Sequence, residues 1–269
     1  MKIKSFIHAT VLCAAFMLGG AERGTQAADN NAFHFSGLTE ANYAEGTRQY
    51  LVYMEDANTG ELRNQAVWTR KTRIIEQNGE KLVEISQVWT SSTDSWNRKL
   101  YSLNRIADFS PLSHRTEHGK EGVISAYIFK DDTIVGDASI ADNTKADFSM
   151  PSMPGTLNWE LDMETFSLLP FELGRTFHMQ FYHPGSKTGP AIYDYTVTGE
   201  EVLTDTRGNA IDCWILHIDY GDQGRSDFWF DKKSKQLIKM DETFGAHRRY
   251  KILLSVPFGP AERIRKGAD

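Results

Sequence analysis

Gln65-Ala66-Val67-Trp68-Thr69-Arg70-Lys71-Thr72-Arg73-Ile74-Ile75-Glu76 runs through Gln77-Asn78-Gly79-Glu80 into Lys81-Leu82-Val83-Glu84-Ile85-Ser86-Gln87-Val88-Trp89-Thr90. Two β-like segments rich in Val, Ile, Thr and Trp flank an Asn-Gly pair. That pair is a strong short-range hairpin signal, because both residues tolerate the positive φ of a tight two-residue turn. The same style continues on both sides. Upstream, Arg48 to Glu55 puts Tyr50, Val52 and Met54 on one face and ends in Asp56-Ala57-Asn58-Thr59-Gly60. Downstream come Trp96 to Ile106, Ser113 to Glu117, a turn at His118-Gly119-Lys120, Val123 to Phe129, and a turn at Lys130-Asp131-Asp132.

The second half repeats the style without repeating the sequence. Arg175 to Tyr182 turns through His183-Pro184-Gly185 and on to Gly189 into Ala191 to Thr198. Ile211 to Tyr220, Arg225 to Phe230, Gln236 to Glu242 and Ala246 to Leu254 follow, separated by Gly, Asp, Lys and Ser turns. Many short strands with short connections predict an antiparallel meander. Residues 138–173 differ: Pro151, Pro154, Gly155 and Pro170 exclude a regular strand there. Asp162 is placed to cap a short helix with Met163, Phe166 and Leu168 or Leu169 on one side. This stretch reads as a crossover lying over one face of the sheet, either a lid or a linker between β subdomains.

The 269 residues are 40% apolar, 25% charged and 12% aromatic, a globular composition that leaves no room for collagen, coiled coil or wholesale disorder. The formal charge of −6 argues against general nucleic-acid binding. Residues 1–27 combine basic Lys2 and Lys4, an apolar run from Phe6 to Leu18 and a small-x-small site at Thr25-Gln26-Ala27. That pattern is a secretory signal peptide. Removing Lys2, Lys4, Arg23 and Glu22 subtracts +2 and gives a mature charge of −8. Cys13 lies inside the apolar run after Leu12, which argues against lipidation, and Cys213 is left as the one mature cysteine. The predicted organisation is signal peptide 1–27, flexible lead-in 28–46, one β-rich domain 47–257 and tail 258–269. The mature chain has no transmembrane segment, and its expected location is the periplasm, or outside the cell if there is no outer membrane.

Chemical motifs are sparse. His114 and His118 have helical ligand spacing but fall on a strand, where residues four apart lie roughly 13 Å from one another. No HExxH, paired CxxC, GxSxG, GxGxxG or phosphate-loop pattern occurs. Neither a metal nor a cofactor is expected, and no catalytic residue is singled out. Lys232-Lys233-Ser234-Lys235 is a basic turn that could touch anionic headgroups or simply be solvated. Aromatic residues crowd the strands instead. Trp214, Leu216, Ile218 and Tyr220 share one strand face, while Ile211, Cys213 and Ile215 share the other. A sheet apolar on both faces needs covering, by its own core or by a ligand.

The C-terminal third carries a resemblance. Leu169-Pro170-Phe171-Glu172-Leu173-Gly174-Arg175-Thr176-Phe177 leads to Tyr193-Asp194-Tyr195-Thr196-Val197-Thr198-Gly199, Asp212-Cys213-Trp214-Ile215-Leu216 and Phe228-Trp229-Phe230-Asp231-Lys232-Lys233, ending in Leu237-Ile238-Lys239-Met240. Over roughly residues 165–254 this resembles an uncharacterised family of bacterial periplasmic proteins. It is similar in outline to the periplasmic lipoprotein carriers and lipid-binding lipoproteins. The resemblance implies a strongly curved antiparallel sheet, an unclosed barrel, with a short helix or crossover over the concave face. It also implies a non-catalytic carrier of a lipid or acyl chain. Trp89, Met163, Phe166, Trp214, Phe228 and Phe230 are the expected ligand-binding residues. The alternatives are an envelope-acting hydrolase using His178, His217 or Cys213, and an envelope-assembly factor whose partner is another protein.

Overall fold

The computed structural model describes residues 32–119 and 122–254. The expected signal peptide and C-terminal tail, and positions 28–31 of the lead-in, lie outside the described residues. The first half of the chain forms β1 (Gly46–Asp56), β2 (Leu62–Gln77), β3 (Glu80–Ser91), β4 (Arg98–Arg105), β5 (Pro111–His118), β6 (Val123–Phe129), β7 (Thr133–Gly136) and β8 (Ser149–Pro151). After β9 (Leu157–Asn158), a 3-10 turn Trp159–Leu161 and α1 (Asp162–Ser167), the second half forms β10 (Thr176–Tyr182), β11 (Ala191–Thr204), β12 (Ala210–Asp219), β13 (Arg225–Asp231), β14 (Leu237–Phe244) and β15 (His247–Leu253).

The fifteen strands of the described residues belong to one sheet, in the order β8-β7-β6-β5-β4-β3-β2-β1-β15-β14-β13-β12-β11-β10-β9. Each half is a meander, and the two are joined where β1 pairs with β15, from Tyr50↔Leu253 to Asp56↔His247. Every pairing is antiparallel except β9 with β10. The hairpin expected at Asn78-Gly79 forms with Gln77↔Glu80 as its closing pair, and both turn residues have positive φ, 53° and 79°. The sheet is long and curved but does not close into a barrel. Bulges between Val52 and Met54 on β1, Val197 and Gly199 on β11, and Trp229 and Phe230 on β13 bend the sheet.

The two sheet ends meet through side chains rather than a ladder. Phe129 on β6 and Tyr182 on β10 have ring centroids 6.4 Å apart, with Phe148 against both Tyr127 and Tyr182. On either side of this contact, the Ser152 amide donates to the Asp132 carbonyl at 2.8 Å next to the β7–β8 pairing, and the Gln180 side-chain amide donates to the Thr156 hydroxyl next to the β9–β10 pairing. Gly136 permits the loop after β7 to fold back, since a Cβ there would sit 1.8 Å from the Lys145 carbonyl oxygen.

Three sequence expectations need correction. The Pro/Gly stretch does contain strand: Pro151 ends the three-residue β8, which lies at the edge of the sheet, where a missing N–H costs nothing. Asp162 does not cap α1 from outside. It is the first helical residue and Leu161 is the N-cap. The described part of the lead-in is tied to the sheet at Phe33, Phe35 and Tyr43 rather than loose along its whole length, although most of its residues are exposed. Phe33 lies edge-on to Phe177, and Tyr43 donates its hydroxyl to the Ile106 carbonyl at 2.6 Å. Among the described residues no helix is long and apolar enough to cross a membrane.

Candidate functional site

Strand parity aims Tyr50 and Val52 of β1, Trp68, Arg70 and Thr72 of β2, Ile85, Gln87 and Trp89 of β3, and Phe228 and Phe230 of β13 into the concave face, and all are buried. The crossover sits on that face. Phe166 of α1 is fully buried, 4.6 Å from Tyr195, 5.3 Å from Phe228 and 6.3 Å from Phe230 between ring centroids. The six-residue helix therefore fills much of the hollow with the chain's own rings.

Polar side chains inside the sheet hold the crossover. Arg70 donates through Nε to Glu164 Oε1 at 2.9 Å and through Nη2 to the Glu160 carbonyl at 2.9 Å. Gln87 donates its amide to that carbonyl at 3.0 Å. Lys251 Nζ of β15 donates to Asp162 Oδ2 at 2.9 Å, with both side chains buried. Burial opposes charge on Asp162, yet the neighbouring Lys251 and Arg70 keep its carboxyl below the usual range. Lys251 is held below its ordinary value by burial, against the pull of Asp162. The Trp68 and Trp89 rings stack at 3.8 Å. Lys251 lies 5.2 Å over Trp68 and Arg98 lies 5.1 Å over Trp89, so the stacked pair is flanked by cations. On β5, His114 is buried among Ser102, Thr116 and Asn158 at 2.8, 2.9 and 3.1 Å. Burial drives its pKa down to about 3, so the imidazole is neutral. Hydroxyl and amide hydrogens of Ser102 and Asn158 then point to Nδ1, and Nε2–H donates to Thr116.

The six aromatic and methionine positions expected to bind ligand are thus distributed unevenly. Phe166, Phe228 and Phe230 form one continuous ring cluster, and Trp89 belongs to the Trp68 stack. Trp214 is half-buried opposite Phe230, with Lys232 Nζ 4.3 Å over its ring. Met163 borders open space. It lines a cavity of about 310 Å³ between α1, the first three strands and the β13–β14 turn. Tyr50, Ile85, Met163, Leu168 and Leu237 supply its apolar wall, and Arg48, Lys233 and Lys235 its cations. Sequence reading missed Tyr50 and Ile85 as lining residues, although their alternation with Val52 and Gln87 carried the signal. A second cavity of about 350 Å³, between the lead-in and the seam loop, is bounded by Phe35, Arg105, Phe129 and Lys130 among others and touches none of the six.

His178 and His217 each pair with their own carboxylate, Asp194 and Asp227, at 2.7 Å on solvent-accessible positions. Neither lines either cavity. Cys213 is buried, and burial together with Asp231, Glu201 and Asp212 pushes its thiol up to about 11, the opposite of an activated thiolate.

Residues 49–253 match the family described as "Protein of unknown function (DUF3108)". The chain belongs to this family. The match takes in the first-half strands as well as the C-terminal third whose motifs carried the resemblance. Among solved structures, this family member is similar to a β-barrel-like protein of the DUF1849 family from Brucella abortus. The identity is 10%, the coverage 79% of this chain and 98% of that one, and the TM-score 0.48. It is also similar to a DUF1329 family protein from Desulfovibrio piger ATCC 29098, at 10% identity, 80% and 87% coverage and a TM-score of 0.32. No curated protein matches the chain.

Proposed function

We propose that this protein binds and carries a hydrophobic ligand, a lipid or acyl chain, and that it does so in the periplasm. The observation that carries the reading is the cavity walled by Tyr50, Ile85, Met163, Leu168 and Leu237 beside the short helix α1. At about 310 Å³ it stands at the lower end of ligand sites, roughly 300–1,000 Å³, and suits one acyl segment better than a whole diacyl lipid. Transfer of acyl surface from water into it is worth about 25 cal/mol per Å². The basic, apolar and small-residue order of positions 1–27 supports export.

Organic extracts of protein purified from its native compartment, analysed by mass spectrometry, test the reading. Acyl-bearing molecules in near-stoichiometric amount are expected. Leu168→Trp, which fills the cavity, is expected to deplete them while the β circular dichroism signal persists. Extracts free of any lipid, together with no uptake of added fatty acid, would remove the proposal.

A further inference from the structure

The cavity is not electrically neutral. Arg48 of β1 and Lys233 and Lys235 of the β13–β14 turn line it, and the one carboxylate in the lining, Glu164, is already held by Arg70. Arg48 gives Nη2 to the Ala44 carbonyl at 2.8 Å, a neutral acceptor. Among the described residues, no carboxylate lies within ion-pair distance of Arg48, Lys233 or Lys235. Three positive charges without an ion-pair partner among the described residues thus surround one opening in a chain whose total is −6, with Asp231 in Coulombic reach of Lys233 alone. The other nearby basic residue of this block, Lys232, is spent elsewhere, on Glu200 at 2.7 Å and on the Trp214 ring.

The turn presenting two of these lysines is locally fixed. The Asp231 carboxylate accepts from the backbone amides of Lys233 and Ser234, each at 3.1 Å, and from the Ser234 hydroxyl. Lys235 occupies the left-handed region at φ 56°, and its amide donates to the Asp231 carbonyl at 2.7 Å. The ammonium groups are therefore carried on a rigid tip over an apolar wall. Clefts lined by one sign of charge with low-dielectric walls concentrate the opposite ion.

We infer that this cavity selects amphiphiles with a single anionic head, a carboxylate or phosphate monoester, whose head is held by Arg48, Lys233 and Lys235 and whose chain lies against Tyr50, Met163, Leu168 and Leu237. The inference rests on the proposed hydrophobic-ligand reading and adds the head chemistry to it. Like charges left around an empty mouth repel one another, and an anionic head relieves that repulsion while an uncharged head does not.

The test is titration calorimetry at low salt with four probes of equal chain length below their micellar concentrations: dodecanoate, dodecyl phosphate, dodecanol and dodecyltrimethylammonium. The anions are expected to bind at least tenfold tighter than dodecanol, with dodecyltrimethylammonium weakest. Comparing dodecanoate with dodecyl phosphate separates a carboxylate source from a phosphate source. K233Q/K235Q is expected to lose tenfold or more for the anions and little for dodecanol. K71Q/K239Q, the same charge change at positions outside the cavity lining, is expected to leave the anion affinity unchanged. R48Q provides an independent variant away from the turn, with a loss for the anions alone. Dodecanol binding as tightly as dodecanoate, or K233Q/K235Q binding the anions unchanged, would overturn the head-group inference and leave the hydrophobic-ligand reading standing. Binding of none of the four would overturn both.

Discussion

His114 illustrates how a single side chain couples this interior to pH. Its imidazole is 1% exposed, saturated by Ser102, Thr116 and Asn158, and neutral because burial lowers its pKa to about 3. His183, its ring tilted against Trp159 at 4.5 Å, is lowered by burial to about 4. The sign follows from linkage. Below about 6.5 the unfolded chain binds protons that the folded chain refuses, so stability is lost as pH falls from about 6.5 toward 3 to 4. Each histidine contributes a slope of up to about 1.4 kcal/mol per pH unit in that window. Urea unfolding at pH 7, 6 and 5 is expected to give a steadily falling midpoint, and His114→Asn a flatter dependence. A midpoint flat over that range would mean the ring is protonated in place.

At the scale of the element, α1 is too short to be stable alone and owes its position to side chains below it. Arg70→Met leaves the half-buried Glu164 carboxylate and the Glu160 carbonyl without their donor, a change expected to cost about 1.5–3 kcal/mol. Arg70→Met with Glu164→Gln is expected to recover part of that, because no charge is then stranded. Hydrogen exchange at residues 157–169 should accelerate in the single variant before the sheet strands do. Equal acceleration throughout would show that α1 and the sheet open as one unit. Phe166→Ala, emptying a site enclosed by Tyr195, Phe228 and Phe230, is expected to cost about 3–5 kcal/mol in chemical denaturation.

The strands were legible because turn residues bracket them. Asn78-Gly79 set one register, and the twelve longer strands fell close to where alternation and Gly/Asp turns put them, except that β11, expected to end at Thr198, continues to Thr204. Strands β7, β8 and β9 were not legible, since two to four residues cannot display a period. Helix α1 was legible as Met163 and Phe166 at helical spacing. Its docking was not. Arg70, Gln87, His114 and Lys251 look like solvent-facing residues, and only their phase with Trp68, Ile85 and Met240 marks them as interior. The cationic cavity depends on Lys233, Arg48 and Leu168 meeting from distant parts of the chain, which no local pattern encodes.

For the molecule as a whole, the decisive pairing is β1 with β15, which joins the two meanders through residues about 200 positions apart. Deleting residues 247–253 strips the ladder from both β1 and β14 and leaves two bare edges in the middle of the sheet. Self-association is expected, read as loss of the monomer peak in size-exclusion chromatography with light scattering. A monomeric truncated chain would mean the halves close over one another without β15.

That long-range join also sets a schedule. Synthesis delivers β1 through β8 first, and the partner that covers β1 follows about 200 residues later. Until then the half-built molecule exposes an unpaired backbone rim to any protein handling the nascent chain. The finished sheet is reached only after both meanders have been made and β15 is free to find β1.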